Sequence, residues 1–205
     1  MDLLEAGRFL PLMEDFYSLQ GEGFHTGKAA YFLRIGGCDV GCNFCDIKES
    51  WNKDTHPLTA VTDIVQRVLE SGAKTVVVTG GEPCLYNLEY LCILLKQREL
   101  EVSIETSGSE KLSGNWDWIC FSPKKNTQIE EKFYQIANEL KVIIQNESDF
   151  FWAEENAQKV HQKCLLYLQP EWSCKNVITP LIVNYILQNP KWRLSLQTHK
   201  YIHIP

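Results

Sequence analysis

The chain has 205 residues, 44% of them hydrophobic and 22% charged, with a formal net charge of −6. That length lets one domain bury a sizeable core, the balance is that of a soluble globular protein, and the lack of basic runs argues against a nucleic-acid partner. No stretch is apolar for long enough to span a membrane, and the acidic opening segment (residues 1–16) lacks the apolar core of an export signal, so a cytoplasmic location is expected. Eight cysteines in such a chain read as reduced thiols rather than a disulfide framework.

In chain order, Phe16-Tyr17-Ser18-Leu19-Gln20-Gly21-Glu22-Gly23 sets glycines around a glutamate. It reads as a tight turn with a close backbone approach, or as an ordinary loop. Ala29–Ile35 reads as a buried strand with Arg34 embedded in its apolar run. An arginine there needs an anion, either a salt-bridge partner or a bound carboxylate that matches its fork. Gly36-Gly37 release the chain into Cys38-Asp39-Val40-Gly41-Cys42-Asn43-Phe44-Cys45. Three thiols so close suit an iron–sulfur centre or a metal site with an open position. They also suit half of a zinc site completed by His56 or a distant cysteine. Asp46 follows at once, an oxygen ligand suited to magnesium beside such a centre.

Strands and helices then alternate. Val61, Ile64, Val65, Val68 and Leu69 share a helical face, with Thr59 as N-cap and Gly72 as the stop. Residues 74–79 form a β-branched strand ending in Gly80-Gly81-Glu82-Pro83, and Leu88, Leu91, Cys92 and Leu95 mark the next helix. Strands are predicted over 101–105, 118–121, 140–144, 165–168 and 193–197, with helices around 129–137 and 151–160 between them. A last helix opens with Thr179 as N-cap and Pro180 at its first position. The alternation predicts an α/β fold with parallel pairing, and the polar sets fall where strands end, the catalytic face of a β/α barrel. Six or seven strands are too few to close the barrel. The expectation is a partial, open (β/α)6-like barrel, a single domain over 1–205, with the cysteine loop after the first core strand.

Cys-x3-Cys-x2-Cys resembles the signature of the radical S-adenosylmethionine superfamily, and Gly80-Gly81-Glu82-Pro83, one βα unit later, resembles its glycine-rich element. The resemblance implies that Cys38, Cys42 and Cys45 bind a 4Fe–4S cluster whose fourth iron takes S-adenosylmethionine. Residues 16–23 and 34–45, Asp46, Glu105-Thr106-Ser107-Gly108, Ser122-Pro123-Lys124, Gln197-Thr198-His199-Lys200 and Pro205 are further similar to one family within it. These are the 7-carboxy-7-deazaguanine synthases, carbon–nitrogen lyases of queuosine and 7-deazapurine biosynthesis. The similarity implies 6-carboxy-5,6,7,8-tetrahydropterin as substrate, magnesium on Asp46, an electron donor of the flavodoxin or ferredoxin type, and a homodimer. It places Gln20, Glu22, Arg34, Glu105, His199 and the carboxylate of Pro205 against the substrate, with Arg34 pairing the pterin carboxylate. Gly81, Glu82, Ser107, Ser122 and Lys124 fall around S-adenosylmethionine.

The implied reaction is hydrogen abstraction at C6 by a cofactor-derived radical, ring contraction and loss of ammonia, with no catalytic side chain beyond that radical. Two positions depart from the pattern: Cys84, where an aliphatic residue is usual, and Asn87, where glutamine is. Two other readings stay open. A radical activase acting on a partner protein would share both core motifs but would not need Arg34, His199 and a terminal carboxylate. A protein with a purely structural metal would need a fourth protein ligand.

Overall fold

The structure, a computed structural model, describes residue 4 and residues 6–125 and 127–205. The remaining residues, among them the start of the acidic opening segment, lie outside that description. β1 (Phe9–Leu19) and β2 (Ala29–Ile35) pair antiparallel from Leu19↔Ala29 to Leu12↔Ile35, and β3 (Leu58–Ala60) lines the other edge of β1. From β2 onward all pairing is parallel, through β4 (Thr75–Gly80), β5 (Glu101–Thr106), β6 (Trp118–Phe121), β7 (Glu139–Ile144), β8 (Leu165–Pro170) and β9 (Trp192–Leu194). The result is one nine-stranded sheet in the order β3-β1-β2-β4-β5-β6-β7-β8-β9, whose ends do not pair with each other. This is the open, partial barrel expected.

Parallel neighbours need crossovers. α1 (Val61–Glu70) precedes β4, α2 (Glu89–Lys96) precedes β5, and α3 (Lys132–Ile136), α4 (Asp149–Ala157) and α5 (Lys175–Gln188) precede β7, β8 and β9. α6 (Thr198–Ile202) follows the last strand. Alternation along each strand sorts two faces. Val76 and Val78, Val102 and Ile104, and Leu140, Val142 and Ile144 pack outward in the main core with Ile64, Val68, Leu91, Leu95 and Phe133. Each such side chain, taken fully out of water, contributes about 1.5–3 kcal/mol of burial. The other face carries Val77, Ser103, Glu105, Cys120, Glu139 and Lys141. An apolar exterior and a polar interior make room for a site inside the curve.

Several boundaries differ from the sequence expectation. β1 and β3 were not predicted: Pro11 and a register shift between Leu12 and Glu14 break the alternation that would announce β1. Thr59 does not cap α1. It lies in β3, its hydroxyl donating to the Pro57 carbonyl at 3.3 Å, and Ala60 precedes the helix. Leu69 is exposed, whereas Gly72, at φ +73°, does stop the helix. Pro180 sits inside α5 rather than at its start. A short 3-10 turn, Trp172–Cys174, leads into that helix, and the Glu171 carboxylate caps it by accepting from Ser173 N. Pro180 removes one intrahelical donor, and burial of Ile178 and Ile182 on either side offsets the loss. α3 is shorter than expected, and the last strand stops at Leu194, after which the chain turns into α6. Among the described residues no helix is long and apolar enough to cross a membrane.

Candidate active site

The C-terminal ends of the parallel strands open on a cavity of about 270 Å³. Its lining includes Cys38, Cys42, Cys45, Asp46, Gly81, Glu82, Ser107, Ser122, Lys124, Gln20, Glu22, Arg34, Glu105, His199 and Pro205. One cavity therefore brings together every residue that the resemblance places on the cluster, magnesium, S-adenosylmethionine or the substrate.

The cysteine loop forms one wall. Its root is pinned by backbone bonds from Gly37 N to Ser50 O (2.6 Å) and from Cys38 N to Trp51 O (3.1 Å). Gly37 adopts φ +100°, and a Cβ there would lie 2.4 Å from the Tyr86 hydroxyl. Cys38, Cys42 and Cys45 are half-buried free thiols, and the Trp51 indole N–H donates to Cys45 Sγ at 3.3 Å. Burial raises the Cys38 and Cys42 thiols, opposed by backbone N–H groups at Cys38 and by the Lys124 charge at Cys42. The alternatives for a fourth protein ligand lie elsewhere. Cys84 is buried in the apolar core, and His56 Nε2 is hydrogen-bonded to the Glu49 carbonyl at 2.9 Å. Neither lines the cavity. Three free thiols on one loop, one accepting a hydrogen bond at sulfur, are the donor chemistry of a cluster with one iron left for an outside ligand.

The glycine-rich element backs this wall. A Cβ on Gly81 would lie 2.1 Å from Gly37 O, so the close approach it permits is to the cysteine loop's own backbone. Gly81 N donates to Ile35 O (2.9 Å) and Glu82 N to Gly37 O (2.8 Å). The Glu82 carboxylate is 1% exposed and accepts from Cys84 N (3.0 Å), Thr106 Oγ1 (2.6 Å), Ser107 N (2.8 Å) and Ser107 Oγ (2.5 Å). Its oxygens are committed to tying the end of β4 to the end of β5. Lys124 Nζ donates to the carbonyl (2.6 Å) and hydroxyl (2.7 Å) of Ser122, and burial lowers its pKa.

The facing wall is charged. Gln20 Nε2 donates to Glu105 Oε1 at 2.9 Å, and Gln20 Oε1 accepts from Glu22 N at 3.0 Å. Lys141 forms an ion pair with Glu22 and lies 3.9 Å from Glu105. Gln197 Nε2 donates to Glu22 Oε1 (2.9 Å). Burial would raise the Glu22 carboxyl, but the charge and hydrogen bond of Lys141, with Gln197 and Gln169, bring it down to about 2. Arg34 Nε donates to Glu14 Oε1 at 2.6 Å, so the salt bridge exists, and Arg34 also lines the cavity. Asp46 pairs with Lys200 and accepts from Gln197 Nε2 (3.3 Å). Burial raises its carboxyl, but Lys200 outweighs this and the net shift is downward. His199 packs over Gly21, where a Cβ would lie 2.0 Å from Nδ1, and burial lowers its pKa. The glycine turn is thus a close approach, to His199. Ser18 Oγ donates to Pro205 O at 3.1 Å.

Sequence reasoning assigned no role to Lys141, Thr106, Gln169 or Lys200. Lys141 was findable: it is a charge inside the apolar run 140–144, the signal that singled out Arg34 in β2.

The Radical SAM superfamily profile matches residues 33–119, from β2 into β6. The 7-carboxy-7-deazaguanine synthase of Flavobacterium psychrophilum is 57% identical over 202 residues, covering 98% of this chain and 96% of the relative. That of Synechocystis sp. is 47% identical, covering 95% and 93%. Among solved structures, the crystal structure of QueE from Escherichia coli superposes with a TM-score of 0.84 at 31% identity, covering 96% of this chain and 97% of that one.

Proposed function

This chain belongs to the 7-carboxy-7-deazaguanine synthase family of the radical S-adenosylmethionine superfamily, and from that premise we propose that it converts 6-carboxy-5,6,7,8-tetrahydropterin to 7-carboxy-7-deazaguanine. The observation that carries the reading is one cavity with the three-cysteine loop on one wall and paired carboxylates, an arginine and a histidine on the other. When bound on Cys38, Cys42 and Cys45, a reduced 4Fe–4S cluster and S-adenosylmethionine supply the radical chemistry that removes hydrogen from C6.

The chain's own residues hold and orient. Lys124 sets a positive charge toward Cys42, and the Trp51 indole supports Cys45. Gly81, Ser107 and Ser122 shape the S-adenosylmethionine side, with Glu82 acting as its brace. Gln20, Glu22, Glu105, His199 and Pro205 contact the pterin. Arg34, resting on Glu14, pairs the pterin carboxylate. Asp46 supplies an oxygen to magnesium, for which Lys200 is the resting counter-charge. The enzyme works as a homodimer fed by a flavodoxin- or ferredoxin-type donor, in the route to queuosine.

The test is anaerobic turnover of reconstituted protein with reductant, S-adenosylmethionine, magnesium and the pterin, read by mass spectrometry. Product at the mass of 7-carboxy-7-deazaguanine, absent with Cys38→Ala, is expected. Accumulation of 5′-deoxyadenosine with the pterin intact would keep the superfamily and sink the substrate.

A further inference from the structure

Lys141 is a buried charge of the cavity and belongs to none of the motifs. We propose that Lys141 is a positioning residue that locks Glu22 and Glu105 as paired hydrogen-bond acceptors for the N–H edge of the substrate, an inference that rests on the reading above.

The placement is dictated by β7. Leu140 and Val142 turn outward into the core, so strand alternation sends Lys141 into the barrel, where the residue is 5% exposed. A lone ammonium there would be costly, and one partner would leave a second carboxylate unmatched. Lys141 has both: an ion pair to Glu22, from the turn after β1, and Glu105, from the end of β5, at 3.9 Å. A compact ammonium can serve two carboxylates from different strands, where a planar guanidinium fork favours one.

The outer oxygens are fixed too, Glu22 Oε1 by Gln197 and Glu105 Oε1 by Gln20. Other titratable groups face the pair: Glu139 on the same strand, Cys120 on β6, and Lys124, Asp46 and His199 around the cavity. Among them only Lys141 pairs directly with Glu22. Remove it, and burial, which raises the Glu22 carboxyl, is opposed only by the hydrogen bonds of Gln197 and Gln169. A protonated Glu22 presents a donor where the substrate also presents one. Loss of Lys141 therefore turns an acceptor into a clash without touching the substrate.

The experiment compares wild type, Lys141→Met, Lys141→Arg and the double variant Lys141→Met with Glu22→Gln, all as reconstituted holoenzyme. In wild type Glu22 is ionised throughout pH 6–8 and contributes no slope to kcat/KM. Lys141→Met should raise the pterin KM by about 10–100-fold, the loss of one charge-assisted hydrogen bond. It should also add a rise of kcat/KM with pH in this window, while the KM for S-adenosylmethionine stays put. Lys141→Arg should add no rise, and Glu22→Gln should remove the one that Lys141→Met adds. A merely structural lysine predicts a lower Tm and a lower kcat with neither the KM split nor the new slope, and that result overturns the proposal. If Lys141→Met does not fold, Lys141→Gln carries the same comparison.

A second readout needs no pterin: the Glu22 carboxyl of the substrate-free chain, followed by 13C NMR, should titrate higher in Lys141→Met than in wild type. If it does while wild type leaves the pterin intact, the functional reading fails and the Lys141–Glu22 coupling stands. If turnover holds and the titration does not move, the coupling fails.

Discussion

The two walls of the cavity each carry a glutamate, buried in one and half-buried in the other, and hold it by opposite means. Glu82, beside the cysteine loop, is satisfied by neutral donors from Cys84, Thr106 and Ser107, all within 25 residues. Glu22, on the facing wall, is satisfied by a buried lysine 119 residues away and by Gln197, 175 residues away. Neutral donors fix a carboxylate's geometry and stay in place whatever the cavity holds, so the Glu82 wall is a brace. An ion pair also sets protonation, so the Glu22 wall is a surface tuned for a ligand's donors. Substitutions on the two walls should therefore fail differently.

The largest effect belongs to the cysteine wall. Cys38→Ala should bring both 5′-deoxyadenosine and deazapurine to background, and the visible absorption of the reconstituted protein should weaken. Glu82→Gln comes next. An amide cannot accept from every donor Glu82 now serves, and an unsatisfied buried donor costs about 1–3 kcal/mol. For a chain of this size that lowers Tm by roughly 2–4 °C per kcal/mol, which differential scanning calorimetry will read. If Tm holds and only the KM for S-adenosylmethionine rises, Glu82 is a ligand contact and not a brace.

Glu22→Gln should do the reverse. Lys141 keeps Glu105 and Glu139 beside it, so the fall in Tm should be smaller than for Glu82→Gln. The pterin KM should rise by about 10–100-fold, the scale of a charge-assisted hydrogen bond. Because the cysteine wall is intact, 5′-deoxyadenosine should still form, in excess over product. Strict coupling in this variant would contradict the division between walls. Arg34→Lys is milder: Lys keeps the charge but loses the planar fork, so the pterin KM should rise by about 10-fold with kcat nearly unchanged.

The same contrast explains what the sequence could and could not say. The cysteine wall is local: Cys38, Cys42 and Cys45 share one loop, and Gly81 and Glu82 share one turn, so spacing marked the thiols as a metal centre and two short contiguous motifs were enough for the resemblance to assign the rest. The alternation of apolar runs likewise exposed the parallel strands from β2 onward. The facing wall is assembled from the turn after β1 and from β2, β5, β7 and α6, and no spacing within the chain encodes which carboxylate meets Lys141. Resemblance supplied Glu22, Glu105 and His199, but not the lysine between them. β1 escaped because Pro11 and its register shift break the strand pattern, and α5 was misplaced because Pro180 reads as a helix start when burial of Ile178 and Ile182 holds it inside.

The smallest effect tests how the facing wall is packed rather than charged. His199 lies against Gly21, and the same turn is held by Thr198, whose backbone N–H (2.9 Å) and hydroxyl (3.0 Å) both donate to Gly21 O. Burial lowers the imidazole below its usual 6.5, opposed by Glu22, so at pH 7 it is neutral and can both donate and accept. A histidine whose folded pKa is depressed favours the native state above 6.5 and loses that contribution as pH falls through the lower, folded value. Activity that depends on neutral His199 should accordingly be level from pH 7 to 8 and fall only on the acid side of 6.5. His199→Gln keeps a donor and an acceptor without a titration, so it should cost only a few-fold in kcat/KM and flatten that acid fall. An acid limb unchanged in His199→Gln would move its origin to another group. A loss as deep as that of Glu22→Gln would mean that the ring, through its packing on Gly21, sets the position of the whole turn that carries Glu22.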